Sequence, residues 1–153
     1  GQEVGVGPLL LVHGGDGLDE LTVYGPSTVW DLTDDTQRRV ELDPTDLGIA
    51  APAPEALRGG SAQRNAELCR VLVDSPEDPS VAGIRDAVAL NAAAALVAYA
   101  AAGGALPFRI PPPATPLAER MAVALPAAMD ALTSGAARAL LDRWISTSQD
   151  LRP

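Results

Sequence analysis

The stretch PLLLVHGGDGLDEL, residues 8–21, decides how the whole chain is read. Its first half is a short, continuous apolar run closed by glycine, the pattern of a strand buried on both faces. Strands of that kind belong to parallel sheets. In open α/β sheets ligands bind beyond the carboxyl ends of the strands, so the loop HGGDGLDEL, residues 13–21, lies where chemistry is usually done. Asp16, Asp19 and Glu20 bring three carboxylates within five residues. Such crowding of like charge costs free energy unless a cation, arginines or water offsets it. Magnesium is typically held by one or two carboxylates, with waters and substrate phosphates completing the shell, so a metal–phosphate substrate is one reading of this loop. A solvated acidic turn is the other, because Asp and Gly favour turns on conformational grounds alone. His13, the only histidine, is read as a structural hydrogen-bonding group at a strand end rather than as a general acid or base.

Outward from this loop, LTVYG, STVWDLT and RRVELD concentrate β-formers, and Asp34 and Asp35 mark a turn between the last two, which suits a hairpin. Beyond Asp43 the spacing becomes helical, after an irregular connection marked by Pro44, Pro52 and Pro54. Ser61 is placed to cap a helix through AQRNAELCRVLV, in which Cys69 reads as packed. The uncharged run from Ala87 to Leu106 is long enough to raise a membrane span. Its alanines, the central Asn91 and the closing Gly103-Gly104 pair favour a buried globular helix instead. Asn65 and Asn91 sit in helices where an amide is unfavourable unless bonded, so each is expected to pin a neighbouring loop or helix end.

After the linker GGALPFRIPPPATP, Thr115 and Pro116 open a helix that Pro126 should kink or restart. Leu117, Met121 and Leu125 then read as core. The last helix, capped by Ser134, places Ala137, Leu140, Leu141 and Trp144 on one face. Trp30, Tyr99 and Trp144 read as core or interface residues.

Of 153 residues 47% are hydrophobic and only 3% aromatic, so the core must be built from Ala, Leu and Val in close helix contacts. All 11 basic residues are arginines. The absence of lysine excludes Schiff-base chemistry and lysine-dependent phosphate loops. A net charge of −9 with no long basic run argues against nucleic acid. One cysteine cannot form an internal disulfide, and no basic n-region precedes the first apolar run. Both suit a cytoplasmic protein, without membrane partners.

The blocks HGGDGLDEL, GPSTVWDL, LDPTDLGI, LRGGSAQRNAELCRVL, RDAVALNAAAALVAYA and AMDALTSGAARALLDRW, in this order, resemble the C-terminal half of anthranilate phosphoribosyltransferases over nearly the whole chain. The resemblance implies an α/β fold: the C-terminal part of a mostly parallel sheet flanked by helices, with strands over about 8–42 and helices over about 54–148. It implies transfer of the ribose phosphate of phosphoribosyl pyrophosphate to anthranilate, in tryptophan biosynthesis, assisted by Mg2+. The family's metal-binding Asp-Glu pair falls on Asp19 and Glu20; Asp16 and Gly17 share the motif, with Asp16 a possible third ligand. The intact pair and the acidic charge disfavour the superfamily's nucleic-acid-binding branch. The pyrophosphate loop, the anthranilate-carboxylate site and the N-terminal helical domain that usually forms the dimer contact are expected upstream. Gly14-Gly15, Gly59-Gly60 and Gly103-Gly104 are read as turns or helix stops rather than substitute phosphate loops, and Arg58 and Arg64 as exposed arginines. The chain is therefore expected to need its missing N-terminal half for activity. A scaffold that kept the fold without the reaction and a nucleoside phosphorylase relative are the alternatives.

Overall fold

The computed structural model describes residues 7–151. The opening residues, 1–6, read above as carrying no secretory signal, lie outside the described residues. Three strands, β1 (Leu9–Gly14), β2 (Ser27–Leu32) and β3 (Arg38–Leu42), are followed by four helices. These are α1 (Ala62–Asp74), α2 (Ala82–Ala101), α3 (Leu117–Thr133) and α4 (Ala136–Asp150). Single 3-10 turns at Pro44–Leu47 and Pro79–Val81 are each capped by the aspartate before them, Asp43 and Asp78.

The described sheet is not parallel. It is an antiparallel meander in the order β1-β2-β3, with Leu11 opposite Trp30 and Trp30 opposite Arg39. The apolar run of β1 misleads because only one of its faces is covered. Leu10 and Val12 pack against the core, whereas Leu11 is 54% exposed beside Trp30, also exposed, over whose ring the Arg39 guanidinium lies at 6.0 Å. An antiparallel sheet tolerates one solvated face. The hairpin read over β2 and β3 is present.

LTVYG is not a strand either. Leu21, Thr22 and Val23 are buried, but without sheet pairing. Side chains take the backbone groups that a neighbouring strand would otherwise satisfy.

The core lies where α2 and α3 pack together beneath the inner face of the sheet. Val29, Leu42, Leu90, Val97, Leu117, Met121 and Leu125 fill it, with Ala89, Ala93, Ala124 and Ala128 letting the helices approach closely. Fully burying one Val, Leu or Met contributes about 1.5–3 kcal/mol. No aromatic side chain among the described residues is buried. The helical stretch Pro79–Ala101 is long and apolar enough, by length and composition alone, to cross a membrane. Here Ala89, Leu90, Ala93, Ala94 and Val97 instead bury one side of α2 in the core.

Several local readings change. The first long helix begins at Ala62, where Ser61 Oγ accepts from the Arg64 N–H, so the segment before it is turn and coil. Cys69 is exposed, because the buried side of α1 is Leu72 and Val73. Helix α3 runs through Pro126 without ending, and its N-cap is Pro116 rather than Thr115. Gly135, at φ 81°, separates α3 from α4 and takes the cap position expected of Ser134. Of the two readings for Trp144 and Tyr99, core or interface, the core is excluded, since they are 72% and 53% exposed. Helix α4 buries no residue; it docks through Ala137 and through ion pairs of Arg138 with Asp74 and of Asp142 with Arg70.

Candidate metal and phosphate site

Beyond β1 the chain turns back on itself through hydrogen bonds that require glycine. The Gly14 N–H donates to Leu18 O at 2.8 Å, and the Gly15 N–H to Pro26 O at 3.0 Å. A Cβ on Gly15 would sit 2.5 Å from Pro26 O; one on Gly14 would sit 2.6 Å from Asp16 Oδ1 and 3.0 Å from Glu20 O. The glycine pair is required here for close backbone approach.

Asp16 is turned into its own loop. Its Oδ2 accepts from the Thr22 hydroxyl at 2.6 Å and its Oδ1 from the Leu18 N–H at 3.3 Å. His13 has a similar role, its Nδ1–H donating to Leu18 O at 3.0 Å. On the other side of the carboxylate pair, the Leu21 N–H donates to Asn91 Oδ1 at 2.9 Å, and Asn91 Nδ2 donates back to Leu21 O at 2.9 Å. Thr22 continues the clamp, its N–H donating to Ser27 Oγ at 3.0 Å. The sequence-level expectation for Asn91 therefore holds, and Asn65 likewise pins a turn by accepting from the Gly60 N–H at 2.8 Å.

Asp19 and Glu20 are left facing solvent. Among the described residues neither forms an ion pair with an arginine. The loop thus divides its three carboxylates into one that builds the turn and two that are displayed by it. No group of three or more His, Cys, Asp or Glu among the described residues is gathered to hold a metal unaided. Two hard oxygen donors with an open remainder nevertheless fit magnesium, which keeps waters and takes phosphate oxygens in its shell. Arg58 and Arg64 pair with Glu55 and Glu67, away from this loop's carboxylates.

A buried network nearby was not read from the sequence. Arg120 on α3 donates through Nη2 to Asp31 Oδ2 and through Nη1 to Thr33 Oγ1 at 2.9 Å. Thr33 in turn donates its N–H to Asp31 Oδ1 at 3.1 Å. The available signal was a lone charge, three residues after Leu117, on the apolar face of α3.

The turn that follows the first strand of this α/β unit is thus braced by glycine and displays an adjacent carboxylate pair. The chain belongs to the glycosyl transferase family, a/b domain, whose family model matches residues 2–138. It is 43% identical over 140 residues to the anthranilate phosphoribosyltransferase of Thermobifida fusca, a match covering 92% of this chain and 36% of that protein. The crystal structure of the anthranilate phosphoribosyltransferase from Thermus thermophilus superposes with a TM-score of 0.63 at 32% identity, covering 91% of this chain and 35% of that one. The Saccharomyces cerevisiae enzyme in complex with PRPP and Mg superposes with a TM-score of 0.70 at 21% identity, over 93% of this chain and 35% of its own, a likeness of fold. The chain thus spans little more than a third of the length of these relatives.

Proposed function

We propose that this chain is the C-terminal part of the catalytic domain of an anthranilate phosphoribosyltransferase, and that Asp19 and Glu20 are its magnesium ligands. The observation that carries this is the exposed, arginine-free Asp19–Glu20 pair on a turn whose other carboxylate is committed to structure. In the reaction, the bond from ribose C1 to pyrophosphate breaks and a bond from C1 to the anthranilate amine forms, the amine losing a proton. Magnesium, when bound, neutralises charge on the departing pyrophosphate. Asp19 and Glu20 bind and orient that ion, while Asp16 and His13 keep the turn from relaxing.

The groups that contact anthranilate and cradle the pyrophosphate belong to the remainder of the enzyme in this reading. The apolar groove between α2, α3 and Leu106–Phe108 offers surface against which that remainder would pack, and the contact of a cytoplasmic homodimer lies in the N-terminal helical domain in this reading. Calorimetric titration of the full-length protein with magnesium and phosphoribosyl pyrophosphate tests the proposal. Binding lost in both Asp19→Ala and Glu20→Ala supports it. Binding unaffected by either returns the turn to a solvated loop and favours a scaffold that kept the fold without the reaction.

A further inference from the structure

Asp19 and Glu20 are the two residues between Leu18 and Leu21, and both of those neighbours are fixed. Leu18 is held through its carbonyl by His13 and Gly14 and through its N–H by Asp16. Leu21 is held through both backbone groups by one side chain 70 residues away, Asn91. Leu21 is 2% exposed and has no strand partner, so its N–H and C=O need side-chain partners. The Asn91 amide supplies a donor and an acceptor in the arrangement a neighbouring strand would offer.

We infer that Asn91 is a positioning residue for the metal-binding turn, holding Leu21 so that Asp19 and Glu20 are displayed together before any metal arrives. This rests on the reading of that pair as magnesium ligands. The side-chain chemistry is specific. Asn91 Nδ2 also donates to Ala87 O at 3.0 Å, one helical turn back, which fixes the amide plane and keeps Oδ1 toward the Leu21 N–H. An aspartate would keep the acceptor but set a second carboxylate oxygen against two carbonyls. A leucine would leave both Leu21 groups orphaned. Supporting groups around metal ligands typically change metal affinity or activity about 10–100-fold when removed.

The test uses the full-length protein, with Mn2+ and phosphoribosyl pyrophosphate as the probe, followed by electron paramagnetic resonance. Asn91→Ala should weaken Mn2+ binding about tenfold or more, with turnover restored at high magnesium. Asn65→Ala, which removes the comparable amide from α1, should leave the affinity unchanged. Wild-type affinity in Asn91→Ala, alongside lost binding in Asp19→Ala and Glu20→Ala, overturns the positioning role and leaves the metal site standing. Unchanged binding in the two carboxylate variants removes the metal reading itself, and this inference with it. Hydrogen exchange in the wild-type protein decides the matter if Asn91→Ala does not fold. The Leu21 amide should be protected before metal is added; protection appearing only with metal means that the ion, and not Asn91, assembles the turn.

Discussion

Arg120 on α3 and Asp31 on β2 form an ion pair in which both residues are only 1% exposed. It ties the helical layer to the central strand of the sheet, and Thr33 completes it by accepting from Arg120 and donating to Asp31. Removing one partner leaves the other charge buried without compensation. Arg120→Ala should therefore lower the unfolding free energy by about 3–5 kcal/mol in equilibrium urea denaturation. Arg120→Lys should fall between, since it keeps the charge and loses the two-pronged donor. A loss below about 1 kcal/mol for Arg120→Ala, the size expected of surface pairs, would show that the pair adds little.

The two glycine positions flanking the candidate site differ in what a methyl group would meet. At Gly15 it would press on Pro26 O at 2.5 Å; at Gly25 nothing lies within 4 Å. Gly15→Ala should destabilise by about 1–3 kcal/mol, whereas Gly25→Ala should stay within about 0.5 kcal/mol of wild type. Thermal melts of the two variants check this, and equal effects would mean that the turn relaxes freely around Gly15.

Asp16 and the Asp19–Glu20 pair should separate in their readouts. Asp16→Ala removes the acceptor of the Thr22 hydroxyl and Leu18 N–H bonds, so it should lower the melting temperature whether or not magnesium is present. On the proposed magnesium reading, Asp19→Ala and Glu20→Ala in the full-length protein should leave the metal-free melting temperature near wild type and abolish the stabilisation expected on adding magnesium with phosphoribosyl pyrophosphate. Differential scanning calorimetry with and without these ligands distinguishes the two patterns.

Acid should weaken the fold through its capping carboxylates. Arg38 holds the Asp34 carboxyl below its ordinary range, and the hydroxyl and N–H of Thr45 do the same for Asp43. Ser80 acts in this way on Asp78. Carboxyls lowered in the folded state contribute stability above their unfolded pKa, and that contribution is lost as pH falls through the lowered values. The melting temperature should therefore decline below about pH 4. Asp43→Asn keeps the cap without the titration, so it should decline less than wild type over the same range.

The parts of this structure legible in the sequence are those governed by neighbours along the chain. The Ser61 cap, the Gly103 helix stop, the Leu117–Met121–Leu125 core stripe and the β2–β3 hairpin follow from local spacing. So does the acidic turn after the first strand. The failures share a different cause. Whether β1 is covered on one face or two depends on what lies across the sheet, and Leu11 carries no mark of its exposure. The segment Leu21–Val23 has the composition of a strand, but Asn91 and Ser27 reach its backbone first. Arg120 falls on the apolar face of α3, but what makes its burial possible is Asp31, 89 positions earlier, which spacing along the helix does not bring to it. The division of the loop's carboxylates likewise hangs on Thr22, whose hydroxyl turns Asp16 back onto its own loop.

A core without aromatic rings is optically quiet. Trp144 is 72% exposed in the folded chain and Trp30 lies on the outer face of the sheet, so neither ring touches Leu90, Val97 and Met121 or reports directly on their packing. Backbone circular dichroism of the helices is the direct signal of melting here. Tryptophan emission instead marks the surface: a blue shift from Trp144 signals that another protein surface has come to rest on α4.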